Sequence, residues 1–281
     1  MYDPYDFRPL THSDEELAET SALLLRVFPR ARHLTPGYLA WLYRDNPDGR
    51  ALGYNAWYGD RLVGHCGGVR LTANVEGRLQ RGILLVNAAV EAEHRRRNIT
   101  RRTTDPMFEE AAASGYGFAI STGNRYSTRP LLTRFKMVGR LDARVGFGFP
   151  EQSEAGPPAS FERVWTEAAF RWRLANPSGR YSVTTRDGGC TIIARTPTKG
   201  LGAILYQGDN RWDVGETDER PPIGRLWLGL DPSLSWRKPP FVSIPARLRP
   251  SPLNLLFKNL SDDSVPQPER IVFRAIDFDA Y

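Results

Sequence analysis

The residues best suited to chemistry lie in one run, His94-Arg95-Arg96-Arg97-Asn98-Ile99-Thr100-Arg101-Arg102. It follows an apolar stretch, residues 82–91, that reads as a strand, and it opens a helical stretch that runs to about residue 114. A strand that delivers the chain to a basic turn at a helix N-terminus makes a phosphate cradle. Unpaired backbone N–H groups and the positive end of the helix dipole point at the ligand, and arginines add charge-assisted hydrogen bonds. A second polar turn, Thr122-Gly123-Asn124, ends the next apolar strand, residues 117–121. The cysteines offer less. Cys66 and Cys190 fall one in each half, with no CxxC or CxxH spacing, so neither a disulfide framework nor a zinc site is expected. Cys66 has no His or Asp at an activating spacing and reads as core.

Composition sets the wider limits. The chain has 281 residues, 41% hydrophobic and 25% charged, with a formal net charge of +6, as in an ordinary globular protein. No apolar run approaches the roughly 18–20 residues needed to cross a bilayer, so no membrane association is expected. The acidic opening of the sequence lacks the apolar core of a signal peptide, and a reduced, cytoplasmic setting fits the cysteine usage. An arginine-rich excess suits a solvated face, a phosphate-bearing ligand or nucleic acid. The run is short and sits inside a strand–turn–helix motif, which argues against nucleic acid.

The elements that must position this turn read as follows. Residues 5–10 form an opening strand. Ser13 and Glu16 make a capping-box signal ahead of a first helix, and Thr35-Pro36 starts a second, stopped by Asn46-Pro47 and Gly49. Residues 53–58 and 61–71 make a hairpin about Gly59-Asp60. Residues 135–141 and 143–149 are late strands. Strands and helices that alternate with antiparallel hairpins predict a mixed α/β sheet. Residues 151–160, rich in Gly, Pro and Ser, read as a linker, so the expected units are 1–150 and 161–281. In the second unit, residues 161–175 and the Ser251-Pro252 stretch read as helices and 271–279 as a strand.

An internal repeat spans the linker. Trp41…Asn46-Pro47…Gly49-Arg50 returns as Trp172…Asn176-Pro177…Gly179-Arg180. Four positions recur at a constant offset and the tryptophan within one residue, which points to duplication.

The order of these motifs resembles the GNAT superfamily of N-acyltransferases. The stretch from Val90 through His94, Arg95 and Asn98 to Thr100 is similar to the turn that wraps the coenzyme A pyrophosphate there. Asn124, followed by Phe135 and Val138-Gly139, is similar to the second motif, and Trp41…Asn46-Pro47…Gly49 with Asp60…Val63-Gly64 to the opening. The resemblance covers about residues 5–150. It implies a twisted mixed sheet flanked by helices, with the second half a degenerate copy, and acyl transfer from acetyl-CoA or another acyl-CoA to a small-molecule amine without a metal. Arg95, Arg96 and Arg97, with Asn98, Ile99 and Thr100, would hold the pyrophosphate. Amides near Val90 would stabilise the oxyanion, and Asn124 would cap the next helix and meet the pantetheine arm. The two-half layout is also similar to enzymes that acylate nucleotide-linked amino sugars, where Trp227, Trp236, Pro239, Pro240 and Phe241 would stack on a base or sugar.

Amide formation also requires a group that accepts the amine's proton. Of the four histidines, His65 lies in the strand that borders the acceptor site in the resembled fold. Asn87 and Glu91 on the central strand would orient the acceptor and act as base. The sequence departs from the pattern at Asn98 and Thr100, which replace glycines. It also has no tyrosine in residues 129–132, where many members carry a general acid, and Tyr126 is the nearest substitute. These departures define the alternative, an inactive module that binds acyl-CoA or an acyl carrier protein. The sequence leaves monomer or homodimer open.

Overall fold

The computed structural model describes residues 3–153, 157–237, 241–249 and 251–278. The expected linker therefore lies partly outside the described residues, as do Pro239, Pro240 and Asp279. The first half runs β1 (Tyr5–Pro9), α1 (Asp14–Val27), α2 (Pro36–Leu39), β2 (Leu52–Tyr58), β3 (Arg61–Val75), β4 (Arg78–Val90), α3 (Ile99–Ala113), β5 (Phe118–Gly123), α4 (Thr128–Leu131), β6 (Lys136–Arg140) and β7 (Asp142–Phe147). The second runs β8 (Glu151–Gln152), β9 (Phe161–Arg163), α5 (Glu167–Leu174), β10 (Tyr181–Arg186), β11 (Gly189–Arg195), β12 (Leu201–Asp209), β13 (Gly224–Leu230), β14 (Leu234–Ser235), β15 (Phe241–Ser243), β16 (Asn254–Asn259) and β17 (Ile271–Arg274).

The mixed α/β prediction holds. One sheet orders its strands β10-β11-β12-β13-β17-β9-β3-β4-β5-β16-β6, with β1 and β2 extending from β3 and β7 and β15 from β13. β3 and β4 pair antiparallel, and β4 and β5 pair parallel across α3. α1 starts as predicted, since Ser13 Oγ accepts from Glu16 N at 3.2 Å, and Thr35 Oγ1 caps α2 by accepting from Tyr38 N at 3.2 Å.

The two halves share a plan. In the first, β4 pairs β5 in parallel only from Gly82↔Phe118 to Leu85↔Ser121. In the second, β12 pairs β13 in parallel only from Leu201↔Gly224 to Ala203↔Leu226. Each leading strand carries a register shift just beyond its pairing, opposite His65/Gly67 and opposite Ile192/Ile193. The repeated Asn-Pro turns also match: Asn46 Oδ1 accepts from Asp48 N at 3.0 Å and Asn176 Oδ1 from Ser178 N at 2.9 Å. The second half is the degenerate copy. Residues 210–223 join β12 to β13 with no helix, where the first half has the arginine turn and α3.

The halves also exchange strands. β16, from the second half, lies between β5 and β6 of the first. β7, from the first half, lies between β13 and β15 of the second. The boundary at residues 151–160 therefore divides the sequence but not the sheet.

Two expected helices take other forms. The Ser251-Pro252 stretch leads into β16, where Asn254, Leu255, Leu256 and Phe257 are all buried. A short apolar run covered on both faces fits a central strand. Residues 161–175 split into β9, which pairs with β3 and β17, and α5, which starts only after the cap Thr166.

Candidate active site

The site grows from the point where β4 leaves β5. Past Leu85, β4 continues beside β3 alone, and its register slips: Val86 faces Gly67 and Ala89 faces His65. Asn87 and Ala88 thus oppose the single residue Cys66, which is a β-bulge. Asn87 takes the left-handed backbone this requires, with φ 54°; Asn is one of the few residues that adopts it readily. Beyond the bulge, Glu91 N–H donates to Val63 O at 2.9 Å. Alternation along the strand then turns the Val90 N–H away from β3 and into the opening. Val90 O, on the same edge, accepts from Arg95 Nε at 3.2 Å.

Two cavities meet at this opening, and Leu131 lines both. The basic one, about 590 Å³, is bounded by Val90, His94, Arg95, Arg96, Asn98, Ile99, Thr100, Arg101, Thr104 and residues of the α4 region through Arg134. It sits at the N-terminus of α3. Asn98 there is left-handed, with φ 57° and no side-chain cap, and the first turn contains no acidic residue but does contain Arg101 and Arg102. Arg101 pairs with Asp105 at 3.0 Å and Arg102 with Asp3, so the attraction for an anion at this helix end comes from its first-turn N–H groups and the dipole. Gly64 allows the close approach: a Cβ there would lie 2.5 Å from Ile99 Cγ2. Six of the expected cofactor residues therefore line this cavity: Val90, Arg95, Arg96, Asn98, Ile99 and Thr100. Arg97 does not. Asn124 lines the other cavity, and its Oδ1 accepts from Tyr126 N and Ser127 N at 2.8 and 2.9 Å. It shapes the turn ahead of α4 instead of capping that helix directly.

The second cavity, about 300 Å³, lies on the other side of the opening and has a mixed wall. Leu34, Tyr38, Leu42, Leu84 and Phe278 wall it, and His33, Asn87, Ser121, Thr122, Asn124 and Ser127 supply polar groups. Phe278 comes from the second half. The buried Arg173 donates to Ile276 O at 3.1 Å and Phe278 O at 3.5 Å, which fixes that turn.

His65 does not reach either cavity. It is 1% exposed, and burial pushes its pKa down to about 3, so the expected role as base is corrected: the ring stays neutral near pH 7. It belongs to a relay. Asn87 Nδ2 donates to Tyr43 Oη at 2.8 Å, Tyr43 Oη lies 2.9 Å from His65 Nε2, and His65 Nδ1 lies 2.8 Å from Asn55 Oδ1. Asn55 Nδ2 donates to Glu16 Oε1 at 3.1 Å. Because the two amides and the carboxylate fix the ends, one proton pattern satisfies every bond. Tyr43 O–H donates to His65 Nε2, and His65 Nδ1–H donates to Asn55 Oδ1.

Glu91 is corrected in the same way. Arg26 Nε and Arg61 Nη2 both donate to its Oε1, at 2.7 and 3.1 Å. Burial pulls its pKa up, but the bonds and charges of the two arginines outweigh this and hold it below the ordinary carboxylate value. It is an anchored anion that lines neither cavity. Tyr126 is 78% exposed and lines neither cavity. Burial pushes the Cys66 thiol up to about 12, and both cysteines are free and buried. Glu91, Glu93 and His94 bring ligand atoms within 4.8 Å of one another, but Glu91 is held by two arginines and His94 Nδ1 by Tyr5 Oη at 2.9 Å.

Sequence reading missed His33. Its ring lines the second cavity and meets Tyr38 edge-on at 5.2 Å, and burial holds its pKa below the usual value. It sits in a loop with no motif; only its place just before the Thr35-Pro36 helix start pointed to the cavity wall.

No family model and no curated protein matches the sequence. Solved structures do match in shape. A GCN5-related N-acetyltransferase from Kribbella flavida superposes with a TM-score of 0.59 at 12% identity, over 91% of this chain and 72% of its own. Eis1 from Mycobacterium abscessus gives 0.58 at 12%, over 91% and 74%. A conserved protein of Enterococcus faecalis V583, described as a probable N-acyltransferase, gives 0.55 at 11%, over 92% and 73%. The chain has the GNAT fold. The likeness runs across both halves, and the opening between β4 and β5 with its basic turn lies in the GNAT half that keeps α3. Among the described residues no helix is long and apolar enough to cross a membrane.

Proposed function

We propose that the protein is an N-acyltransferase that moves an acyl group from acetyl-CoA or another acyl-CoA to a primary amine of a small molecule, in the reduced setting of the cytoplasm. The observation that carries this is the opening between β4 and β5, with an arginine-lined cavity on one side, an uncharged cavity of mixed wall among the described residues on the other, and Leu131 common to both. Arg95, Arg96 and the amides of residues 98–100 hold the pyrophosphate, and the acyl thioester enters the opening beside Val90. The amine nitrogen attacks the carbonyl carbon. The C–N bond forms, the negative oxygen is met by the Val90 N–H, and the C–S bond breaks with its electron pair on sulfur. The nitrogen's proton passes to His33, which returns it through water to the thiolate, so coenzyme A leaves as the thiol. Asn87, turned by its relay, orients the amine through its remaining Oδ1.

The narrower acceptor expected from the sequence, a nucleotide-linked amino sugar, finds less support. Trp227 and Phe241 pack with Ile204 into a core cluster backed by Trp236, so they are not free to stack on a base.

A second reading rests on Thr100, whose side chain borders the basic cavity where a glycine would leave more room. In it the protein binds an acyl-CoA or an acyl carrier protein without transferring the acyl group. Titration calorimetry with acetyl-CoA, followed by thiol release with amines, separates the two. Wild type is expected to bind, Arg95→Ala with Arg96→Ala to weaken binding on the order of 100-fold, and Arg97→Ala to change it far less. Binding without thiol release from any amine selects the second reading; no binding removes both acyl-CoA readings.

A further inference from the structure

We propose that the degenerate half holds a second ligand site, a cavity between β9, β12 and the start of α5 that binds an organic ammonium ion at Glu162. The proposal is independent of the acyl-transfer reading and concerns a different cavity.

The repeat explains its place. In the first half, His33 and Leu34 stand just ahead of the cap Thr35 and line a cavity with Val86, Asn87 and Ala88 of β4. In the second, Val164 and Trp165 stand just ahead of the cap Thr166, whose Oγ1 accepts from Ala169 N at 3.1 Å. They line a cavity of about 500 Å³ with Tyr206, Gln207 and Asp209 of β12. Those β12 residues lie past the parallel pairing with β13 and past the bulge at Leu205. The second half has therefore lost the arginine turn and α3 but kept a cavity at the matching position.

Charge pairing gives the sign of the ligand. Arg274 pairs with Asp231 at 2.7 Å and Arg211 with Asp209 at 3.1 Å. The buried Arg163 has Asp48 3.6 Å from its Nη2. Asp277, also buried, accepts from Trp165 Nε1 at 3.2 Å and from Arg274 N at 2.6 Å. Of the charged residues that line the cavity, Glu162 alone has no ion pair or side-chain hydrogen bond among the described residues. It lies in register with Asn74 on β3 and Val272 on β17, and all three line the cavity from one face of the sheet. Asn74 Oδ1, buried on that face, also lacks a donor. Burial pushes the Glu162 pKa above the ordinary carboxylate value; Asp277 and Asp231 add to this, and Arg274 and Arg211 offset it only in part. A partly desolvated carboxylate with no partner is stabilised by a cation that brings N–H donors.

Rings complete the wall. The buried Phe170 meets Trp165, Tyr206 and Trp212 at 5.9, 5.1 and 4.6 Å, which groups three rings about the cavity. Arg163 lies over Trp165 at 3.7 Å and Arg211 over Trp212 at 5.1 Å, the geometry in which ring faces attract positive charge. An ammonium beside Glu162 extends this set, and its apolar body gains contact with the indoles.

The test uses the full chain near pH 7 and three probes that share a ring and differ in head group: benzylamine, benzyl alcohol and benzoate. Binding is followed in proton–nitrogen correlation spectra through the indole N–H signals of Trp165 and Trp212, assigned from Trp165→Phe and Trp212→Phe. These signals report on this cavity; the one beside Asn87 has no tryptophan among its described lining residues. Benzylamine is expected to shift both signals saturably and to bind on the order of tenfold more tightly than benzyl alcohol. Glu162→Gln should weaken benzylamine about tenfold and leave benzyl alcohol binding unchanged, with the urea midpoint close to wild type. Equal affinity for the alcohol, tighter binding of benzoate, or a Glu162→Gln variant that holds benzylamine as well as wild type overturns the proposal. So does the absence of a saturable shift with benzylamine. Failure of acetyl-CoA to bind would remove the acyl-transfer reading and leave this site standing.

Discussion

Trp41 and Trp172 stack with ring centroids 4.8 Å apart and 17° between planes, and each indole N–H donates to the other's backbone carbonyl, at 2.8 and 2.9 Å. The two tryptophans that mark the sequence repeat thus meet as a reciprocal pair. A contact in which residue i meets j just as j meets i is what a two-fold relation produces. Here it joins two parts of one chain.

This pair predicts a coupling. Trp172→Phe removes one buried hydrogen bond and leaves the Trp41 carbonyl without its donor, a cost of about 1–3 kcal/mol. Trp41→Phe should cost a similar amount, and the double variant less than the sum, because both changes damage one contact. Urea unfolding of the four proteins measures the cycle. Strictly additive costs would mean that the rings are neighbours without mutual support.

The strand exchange makes a stronger claim about the halves. Residues 1–150 alone contain β5 and β6 but not β16, which lies between them, and carry β7 without its partners β13 and β15. Unpaired edges of this kind aggregate. The fragment should be insoluble or unfolded by itself and become soluble when residues 151–281 are co-expressed, as read by size-exclusion chromatography. A monomeric 1–150 fragment with native circular dichroism would contradict the exchange.

These two relations also show where sequence reading stops. The turn at residues 94–100 was legible because its chemistry is local: a strand, a basic run and a helix start follow one another, and Asn98 is a residue that tolerates φ > 0. Trp41 and Trp172 were legible as a repeat but not as a contact. β16 was misread because Leu255-Leu256-Phe257 is a short apolar run whose periodicity fits a helix or a central strand equally; burial between β5 and β6, set by residues more than a hundred positions away, decides it. His65 drew attention by its strand and proved buried, whereas His33, in a plain loop, lines the cavity.

The relay behind Asn87 predicts a kinetic effect without loss of donor binding. Tyr43→Phe keeps the ring in its buried site but strips Asn87 Nδ2 and His65 Nε2 of their shared partner, so about 1–3 kcal/mol of stability should go. With Asn87 no longer held, kcat should fall about tenfold while the acetyl-CoA Kd stays unchanged. An unaltered kcat would reduce the relay to a stabilising network.

The turn itself predicts an asymmetry among substitutions at one position. Asn98 holds φ 57° at the mouth of the basic cavity. Asn98→Gly should leave stability and acetyl-CoA affinity nearly unchanged. Asn98→Val must adopt the same backbone with a β-branched side chain, at a cost of about 1–2 kcal/mol, and should raise the acetyl-CoA Kd about tenfold. Thermal unfolding and calorimetry on both variants check this; equal behaviour would mean that the turn can rearrange.

Acid should weaken the fold through His65. Burial holds this histidine neutral, with a pKa of about 3 against an ordinary value of 6.5. Above pH 6.5 both folded and unfolded chains carry it neutral, so its contribution is fully present. As the pH falls below 6.5 the unfolded chain gains a proton that the folded chain refuses, and stability drops until the folded ring also titrates near 3. The gap corresponds to about 4–5 kcal/mol in all, at a slope approaching 1.36 kcal/mol per pH unit. His65→Gln should lose some stability at pH 7, where its relay bonds are imperfect, yet show a shallower fall between pH 6.5 and 4. Urea midpoints taken across that range for both proteins decide it. Parallel curves would mean that His65 takes up its proton at about the same pH folded and unfolded, which the single proton pattern of the relay does not allow.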